Sequence, residues 1–350
     1  MAGSLRTPLT TLLGIKHPIV LAGMLQVSGG KLAAAVANAG GLSVIGGYKC
    51  TPVQLRAIID EMKSCLDTPD FLPPFGIEIA LPKIGGGARK TNQDCTGGKL
   101  DELIDITISS GAKVFVGSAG VPPRDVITRL HEAGILVVTV VGHPKHAAKA
   151  LDAGVDVLVA QGGEGRGHTG GIASSVLVPA VVDVARKYRP PMLRGGTALV
   201  LAGGGIASGR SLAAALMQGA AGAWCCTRFV ASEEANLTVE EKEEVVACDY
   251  GDTEITKVLT GLPIRMKANA YIKSWHSRPD EMQRLFERGI VPMDHDLKLG
   301  NEVRIPVMMG QVAGSIKEIL PARQIIEDIV EEASEALQLA TTMVVSRSKL

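Results

Sequence analysis

Eight short apolar runs, separated by helix-like segments, constrain what this chain can fold into more than any other feature. They span residues 18–22, 42–45, 75–80, 113–117, 136–141, 155–160, 198–202 and 222–226. Most are β-branched and continuous rather than alternating, the pattern of a strand buried on both faces. Between them lie amphipathic or small-residue stretches at 30–39, 52–65, 100–110, 122–133, 144–153, 174–188 and 209–218. Several open just after Pro, Ser or Thr and stop at a glycine (Gly40, Gly111, Gly134, Gly154, Gly219), which is helix start and stop chemistry. Strands and helices in alternation make βα units and a parallel sheet. An open doubly wound sheet is one way to arrange them. The order and even spacing favour closure into an α/β TIM (β/α)8 barrel.

Two stretches exceed a minimal barrel. Residues 83–99 form a glycine-rich, basic connection after the third run, containing Gly85-Gly86-Gly87-Ala88-Arg89-Lys90. A connection that long is usually a lid, a contact surface or disordered. Residues 232–301 are rich in charge, carry Tyr271 and Trp275, and are expected to form a mainly helical insertion over the active site. The domain reading is a barrel at 1–231, the insertion at 232–301, and C-terminal helices with a tail at 302–350. Within that last part, 310–319 and an amphipathic helix at 322–339 return to the barrel.

Composition excludes several classes of function. The 36 basic and 36 acidic residues give a formal net charge of zero, so neither nucleic acid nor an anionic membrane is expected as a partner. No apolar run is long enough for a membrane span, and the amino end lacks the charged and apolar regions of a signal peptide. The six cysteines (50, 65, 95, 225, 226 and 248) show no CxxC spacing, which argues against zinc and for a reduced, intracellular protein. The chain ends in Ser348-Lys349-Leu350, a peroxisomal address when it is the extreme terminus of a eukaryotic protein. The expected location is therefore the peroxisome, with the import receptor as a partner, if the chain is eukaryotic, and the cytoplasm otherwise.

The chemistry points to the loop after the sixth run. Gln161-Gly162-Gly163-Glu164-Gly165-Arg166-Gly167-His168-Thr169-Gly170-Gly171 places one histidine in a glycine-dense loop at the carboxyl end of a strand, where a barrel enzyme keeps catalytic groups. Glycines let backbone amides approach a flat or anionic ligand. His168, with an ordinary pKa of about 6.5, exchanges a proton at working pH. The alternative is a solvated surface loop. The loops after the seventh and eighth runs, Gly203 to Gly209 and Trp224 to Phe229, occupy the usual phosphate position of a barrel. There backbone amides and a helix amino end would meet an anion, with Thr227 and Arg228 adding a hydroxyl and a charge. Each glycine motif alone could simply close a tight βα turn. Adjacent Cys225 and Cys226 point to opposite sides of a strand and read as packing residues rather than a redox pair.

Taken in order, several motifs carry a family resemblance over nearly the whole chain: His17 through Met24, Ala160 through Glu164 with Gly167-His168, Ala202 through Ser208, Gly219-Ala220 through Phe229, and Gly310-Gln311 with Ala313-Gly314. Together they resemble the nitronate monooxygenase (2-nitropropane dioxygenase-like) flavoproteins. The resemblance implies an FMN-binding barrel with His168 as the catalytic base. It also implies cofactor contacts from Ala22, Gly23, Met24, Glu78, Gln161, Gly162, Arg166, Gly167, Gly204, Gly205, Trp224, Cys225, Cys226, Thr227 and Gln311. Gln161 would touch the flavin ring, Ala22 to Met24 would line it, and Gly205 with Trp224 to Thr227 would hold the phosphate. Four positions depart from the family pattern. Gly23 stands where many relatives have proline, Arg166 where they have glycine, Cys226 where glycine usually precedes the threonine, and Glu78 in place of a common asparagine. A carboxylate at Glu78 disfavours an anionic reduced flavin nearby, so the substrate or the redox tuning is expected to differ.

The implied activity is oxidation of an alkyl nitronate, or of a nitroalkane after proton removal by His168, with dioxygen as co-substrate and a carbonyl compound and nitrite as products. The alternative is NAD(P)H-dependent reduction of quinones or enoyl thioesters, with Lys83, Arg89 and Lys90 meeting a dinucleotide phosphate unless they are simply solvated. A third reading is a flavin-free phosphate-binding barrel. The expected partners are a small-molecule substrate and dioxygen, and a homodimer is compatible with the chain.

Overall fold

The computed structural model describes residues 5–344, and the terminal Ser348-Lys349-Leu350 lies outside them. Its strands are β1 (Ile19–Leu21), β2 (Ser43–Gly46), β3 (Phe75–Ala80), β4 (Val114–Ser118), β5 (Leu136–Val141), β6 (Val157–Gln161), the two-residue β7 (Gly167–His168), β8 (Leu199–Gly203), β9 (Gly222–Cys225), β10 (Thr253–Thr256) and β11 (Ile264–Lys267). Its helices are α1 (Pro8–Leu13), α2 (Gly30–Asn38), α3 (Pro52–Ser64), α4 (Leu100–Ser109), α5 (Arg124–Glu132), α6 (Pro144–Ala153), α7 (Ser174–Ala185), α8 (Gly209–Met217), α9 (Thr227–Val230), α10 (Val239–Val246), α11 (Ala270–His276), α12 (Pro279–Glu287), α13 (Pro292–Leu299) and α14 (Ala322–Thr342).

One eight-stranded sheet runs in the order β1-β9-β8-β6-β5-β4-β3-β2. Its seam closes between β1 and β2 through a parallel bridge of Val20 with Leu42. The Leu21 amide donates to Leu42 O and the Leu42 amide to Ile19 O, both at 2.9 Å. The result is a (β/α)8 barrel, and each apolar run supplies one of its strands. The continuous burial has a simple cause: one face of each strand fills the barrel and the other meets the surrounding helices. Val20, Val44, Val114, Val116, Val138, Val157 and Leu201 converge inside with Leu9 and Leu13, so α1 plugs the end of the barrel. Thr7 caps that helix and ties it down, its hydroxyl donating to Ala221 O at 2.7 Å.

The region after the barrel adds a hairpin and a short turn that the sequence reading does not include. Within 232–301, α10 to α13 are accompanied by an antiparallel hairpin, β10 and β11, whose second strand pairs with β7. The hairpin escapes an apolar-run criterion because β11 alternates, burying Ile264 and Met266 and half-exposing Arg265 and Lys267. It has its own core of Val258, Leu259, Ile264, Met266, Ile272, Trp275 and Leu285. Asp296 pins that core, accepting hydrogen bonds from Trp275 Nε1 (2.8 Å), Tyr271 Oη (2.9 Å) and Asn301 Nδ2 (2.9 Å). Residues 310–319 hold only a 3-10 turn, Gln311–Ser315, since glycines at 310 and 314 withdraw helix propensity from so short a run. The long α14 then packs across α8 and α2.

The 83–99 connection has no regular structure and is a contact surface. Lys90 Nζ donates to Glu287 O (2.8 Å) and Gln93 Nε2 to Asp294 (3.3 Å), joining it to α12 and α13. Among the described residues no helix is long and apolar enough to cross a membrane, and no group of His, Cys, Asp or Glu is placed to hold a metal ion.

Candidate active site

The loop that follows β6 is fixed by its own side chains. Gln161, at the carboxyl end of the strand, turns its amide group into the loop and donates to Arg166 O (3.0 Å) and His168 O (2.9 Å). Thr169 Oγ1 donates to Gly162 O (2.7 Å) and Arg265 Nε to Gly163 O (2.8 Å). Glu164 turns to α7, where its carboxylate accepts from the Ser174 amide (3.1 Å) and hydroxyl (2.9 Å) at the helix start. In β7, Gly167 and His168 are in register with Arg265 and Ile264 of β11. His168 is therefore a strand residue rather than the tip of a solvated loop.

That strand faces a cavity of about 470 Å³ at the carboxyl end of the barrel. Of the residues singled out in the sequence, Gly23, Met24, Glu78, Gln161, Arg166, Gly167, His168, Trp224 and Cys226 line it. A smaller recess lies beside Gly204, Gly205 and Thr227 and shares Gln161, Arg166, Trp224 and Cys226 with the larger cavity. The remaining four lie off both walls. Ala22 and Cys225 sit in the core. Gly162 serves through its backbone, its amide donating to Gly203 O at 2.9 Å. Gln311 is exposed, and its amide braces the loop by donating to Glu164 O at 3.0 Å.

Two expectations about the phosphate position need correcting. Arg228 turns away, donating from Nη1 to Glu318 O at 3.0 Å. The amino end of α8 is already taken by a carboxylate, because Gly209 N (2.5 Å) and Arg210 N (3.3 Å) both donate to Glu332 of α14. What remains for an anion is the recess itself. Gly204 has φ +90°, and a Cβ there would sit tightly, 3.2–3.3 Å from the Gly162 and Gly165 backbone, so the position favours glycine. Among the described residues neither the Gly204 nor the Gly205 amide donates a hydrogen bond. Thr227 Oγ1 accepts from the Gly310 amide (3.0 Å), which leaves its own proton free for a phosphate oxygen. The unpaired donors of the recess suit an oxyanion, and the adjoining cavity wall at Met24 and Gln161 suits a planar ring.

The electrostatics concentrate in one cluster. Burial pushes the Glu78 carboxyl up to about 7, against the opposing pull of the Ser118 hydroxyl, Arg166 and the Gly23 amide. Burial lowers the Arg166 guanidinium, which also donates from Nε to Met308 O at 2.9 Å. The Cys226 thiol is pushed up to about 12 by burial and stays neutral. His168 is lowered by burial, so at neutral pH its imidazole is unprotonated and able to accept a proton. Gly23 makes room for the cluster: a Cβ there would fall 2.5 Å from Glu78 Cβ and 2.6 Å from its Oε2.

The sequence reading missed a second set of lining residues: Tyr48, Ser118, His146, Thr260, Leu262 and Met308. Ser118 ends β4, a position with a general signal for site residues. Met308 and Thr260 arrive from irregular segments that carry none.

Comparison with known proteins gives the same frame. The family model for nitronate monooxygenase matches residues 6–332. A Mycobacterium tuberculosis protein named (3aS,4S,5R,7aS)-5-hydroxy-7a-methyl-1-oxo-octahydro-1H-indene-4-carboxyl-CoA dehydrogenase is 31% identical over 380 residues, covering 97% of this chain and 99% of its own. A Staphylococcus saprophyticus protein named probable nitronate monooxygenase is 29% identical over 79% of this chain and 83% of its own. Among solved structures, FabK from Thermotoga maritima superposes with a TM-score of 0.80 at 33% identity, over 97% of this chain and all of that one. Nitroalkane oxidase from Streptomyces ansochromogenes superposes with a TM-score of 0.77 at 25% identity over the same shares. With a family match spanning the barrel and the insertion alike, this oxidoreductase chain belongs to the nitronate monooxygenase family.

Proposed function

We propose that the protein is an FMN-dependent oxidoreductase that oxidises nitroalkanes and their nitronates with dioxygen, His168 acting as the base. The observation that supports this reading best is the unprotonated imidazole of His168 on the wall of a 470 Å³ cavity, carried by a strand that both Gln161 and β11 hold in place. The amides of Gly204 and Gly205 with Thr227 would hold the FMN phosphate, and Met24, Gln161 and Trp224 would flank its ring. Bound FMN supplies the electron-accepting chemistry. The protein's share is proton handling and position. The carbon–hydrogen bond next to the nitro group breaks, its proton moves to the His168 imidazole, and its electron pair is left on the nitronate. Burial disfavours a charged imidazolium in the resting site and leaves the base ready.

Replacing His168 by Asn tests the role. Turnover of the neutral nitroalkane should fall by about a hundredfold or more, within the usual range for loss of a general base, while turnover of the preformed nitronate falls far less. Equal losses on both substrates would remove His168 from the base role.

A second reading, NAD(P)H-dependent action on an acyl thioester or quinone, is favoured by the 31% identity with a carboxyl-CoA dehydrogenase across 97% of the chain. Arg89, exposed on the cavity rim, is placed to meet a phosphate-bearing substrate. Anaerobic bleaching of the flavin separates the two: NADPH or NADH bleaches it under the second reading, nitronate alone under the first.

A further inference from the structure

Glu78 is a carboxyl group that the fold has made special room for. It sits on β3 at the cavity wall, and the Gly23 backbone just after β1 approaches it closely. A methyl group at position 23 would collide with both its Cβ and its Oε2. The same cavity holds one buried cation, Arg166, within electrostatic reach of Glu78 and of the Cys226 thiol. The remaining titratable groups on the wall are Tyr48, His146, His168 and the rim residue Arg89. The charge of the inner site is therefore set by one pair. An ionised Glu78 cancels Arg166, and a protonated Glu78 leaves the cavity with a net positive charge.

We propose that Glu78, admitted by Gly23, is a specificity-determining residue that cancels the charge of Arg166 and so selects neutral substrates over planar anions. The inference rests on the flavoenzyme reading above and narrows it. The substrate enters uncharged, as the nitroalkane or another neutral carbon acid with a polarised oxygen, and becomes an anion only after His168 has taken its proton. A preformed nitronate, carrying its charge in from solvent, meets the ionised Glu78 inside the cavity, where like charges repel more strongly than in bulk water.

The sign of the pH dependence follows. Lowering the pH through about 7 protonates Glu78 and opens the site to anions. The other wall groups stay fixed over that range. His168 and His146 are lowered from the usual histidine value, Tyr48 and Cys226 are both raised to about 12, and Arg166 remains a cation.

The experiment uses the flavin-loaded full chain and sodium nitrate, a planar oxyanion that does not react, with binding read from the shift it causes in flavin absorbance. Between about pH 6.5 and pH 8.5, the window that brackets Glu78 alone, wild-type affinity for nitrate should weaken by about tenfold. In Glu78→Gln it should stay flat near the low-pH value. The ratio of kcat/KM for preformed nitronate to that for the neutral nitroalkane, taken at pH 8, should rise about tenfold in the same variant. The wild-type titration needs no variant to fold. Nitrate affinity that does not change with pH in the wild-type holoenzyme overturns the assignment, as does a Glu78→Gln titration that tracks wild type. A preparation that holds no flavin overturns the flavoenzyme reading itself, and a flat nitrate titration in a yellow enzyme overturns only the role of Glu78.

Discussion

Gln161 shows how much one side chain can carry. Gln161 is 6% exposed, and its amide group donates to two backbone carbonyls, those of Arg166 and His168. Gln161→Leu keeps the volume and removes both donors, at a cost of roughly 1–3 kcal/mol for each carbonyl left buried. Amide exchange across residues 162–171 should speed up accordingly, and bound flavin should become easier to wash out. Unchanged exchange protection in that loop would show that β11 alone holds it. His168 and Gln161 were legible in the sequence because a glycine-dense loop at a strand end is a strong signal. Tyr48 and His146 were not, since a tyrosine after a strand and a histidine in a helix look the same whether they face a cavity or solvent. Arg228 misled for the same reason: its position along the chain was right for an anion, and only packing shows that it turns to Glu318 O.

At the scale of elements, the join between α14 and α8 replaces a ligand site with a structural one. Ser208 caps α8 through Ser211, and Glu332 accepts from Gly209 N, Arg210 N and Arg210 Nε, so α14 satisfies the first two amides, which the Ser208 cap leaves open. Gly209 permits the approach, because a Cβ there would run into the backbone of Ala333. Glu332→Ala should lower stability by about 1 kcal/mol, the usual size of a lost amino-terminal cap, measured as a fall in Tm. Arg210→Ala should lose less than half of that, because the Arg210–Glu332 ion pair is largely exposed on the arginine side. The reverse order would make the ion pair, not the cap, the source of stability. The eight barrel strands were readable because two-sided burial leaves an unbroken apolar run. β10 and β11 were not, since a short strand with one wet face has the composition of a loop.

For the whole molecule, acid sensitivity follows from one histidine at the foot of β1. His17 is fully buried, neither ring nitrogen has a hydrogen-bond partner, and burial, with help from Lys16, lowers it to about 4. An unfolded chain takes up that proton near pH 6.5, while the folded one refuses it until about 4. Stability is thus fully present above pH 6.5 and declines as the pH falls toward 4, by about 3 kcal/mol at most. Glu78, raised rather than lowered, acts in the opposite sense between about 7 and its ordinary value, so the two partly offset. Urea unfolding of His17→Leu should isolate the first contribution: between pH 7 and pH 5 the wild type should lose about 2 kcal/mol more than the variant. Parallel losses would clear His17 of the effect. The pairing of β7 with β11 has a different reach. The hairpin belongs to the part of the chain that walls the cavity through Thr260, Leu262, Pro263 and Ile264, yet it also sets the line of the strand bearing His168. The cavity wall and the position of His168 are therefore inherited together. An insertion borrowed from a relative would bring its own aim for the histidine along with its own taste in substrates, so a lineage changing one is obliged to renegotiate the other.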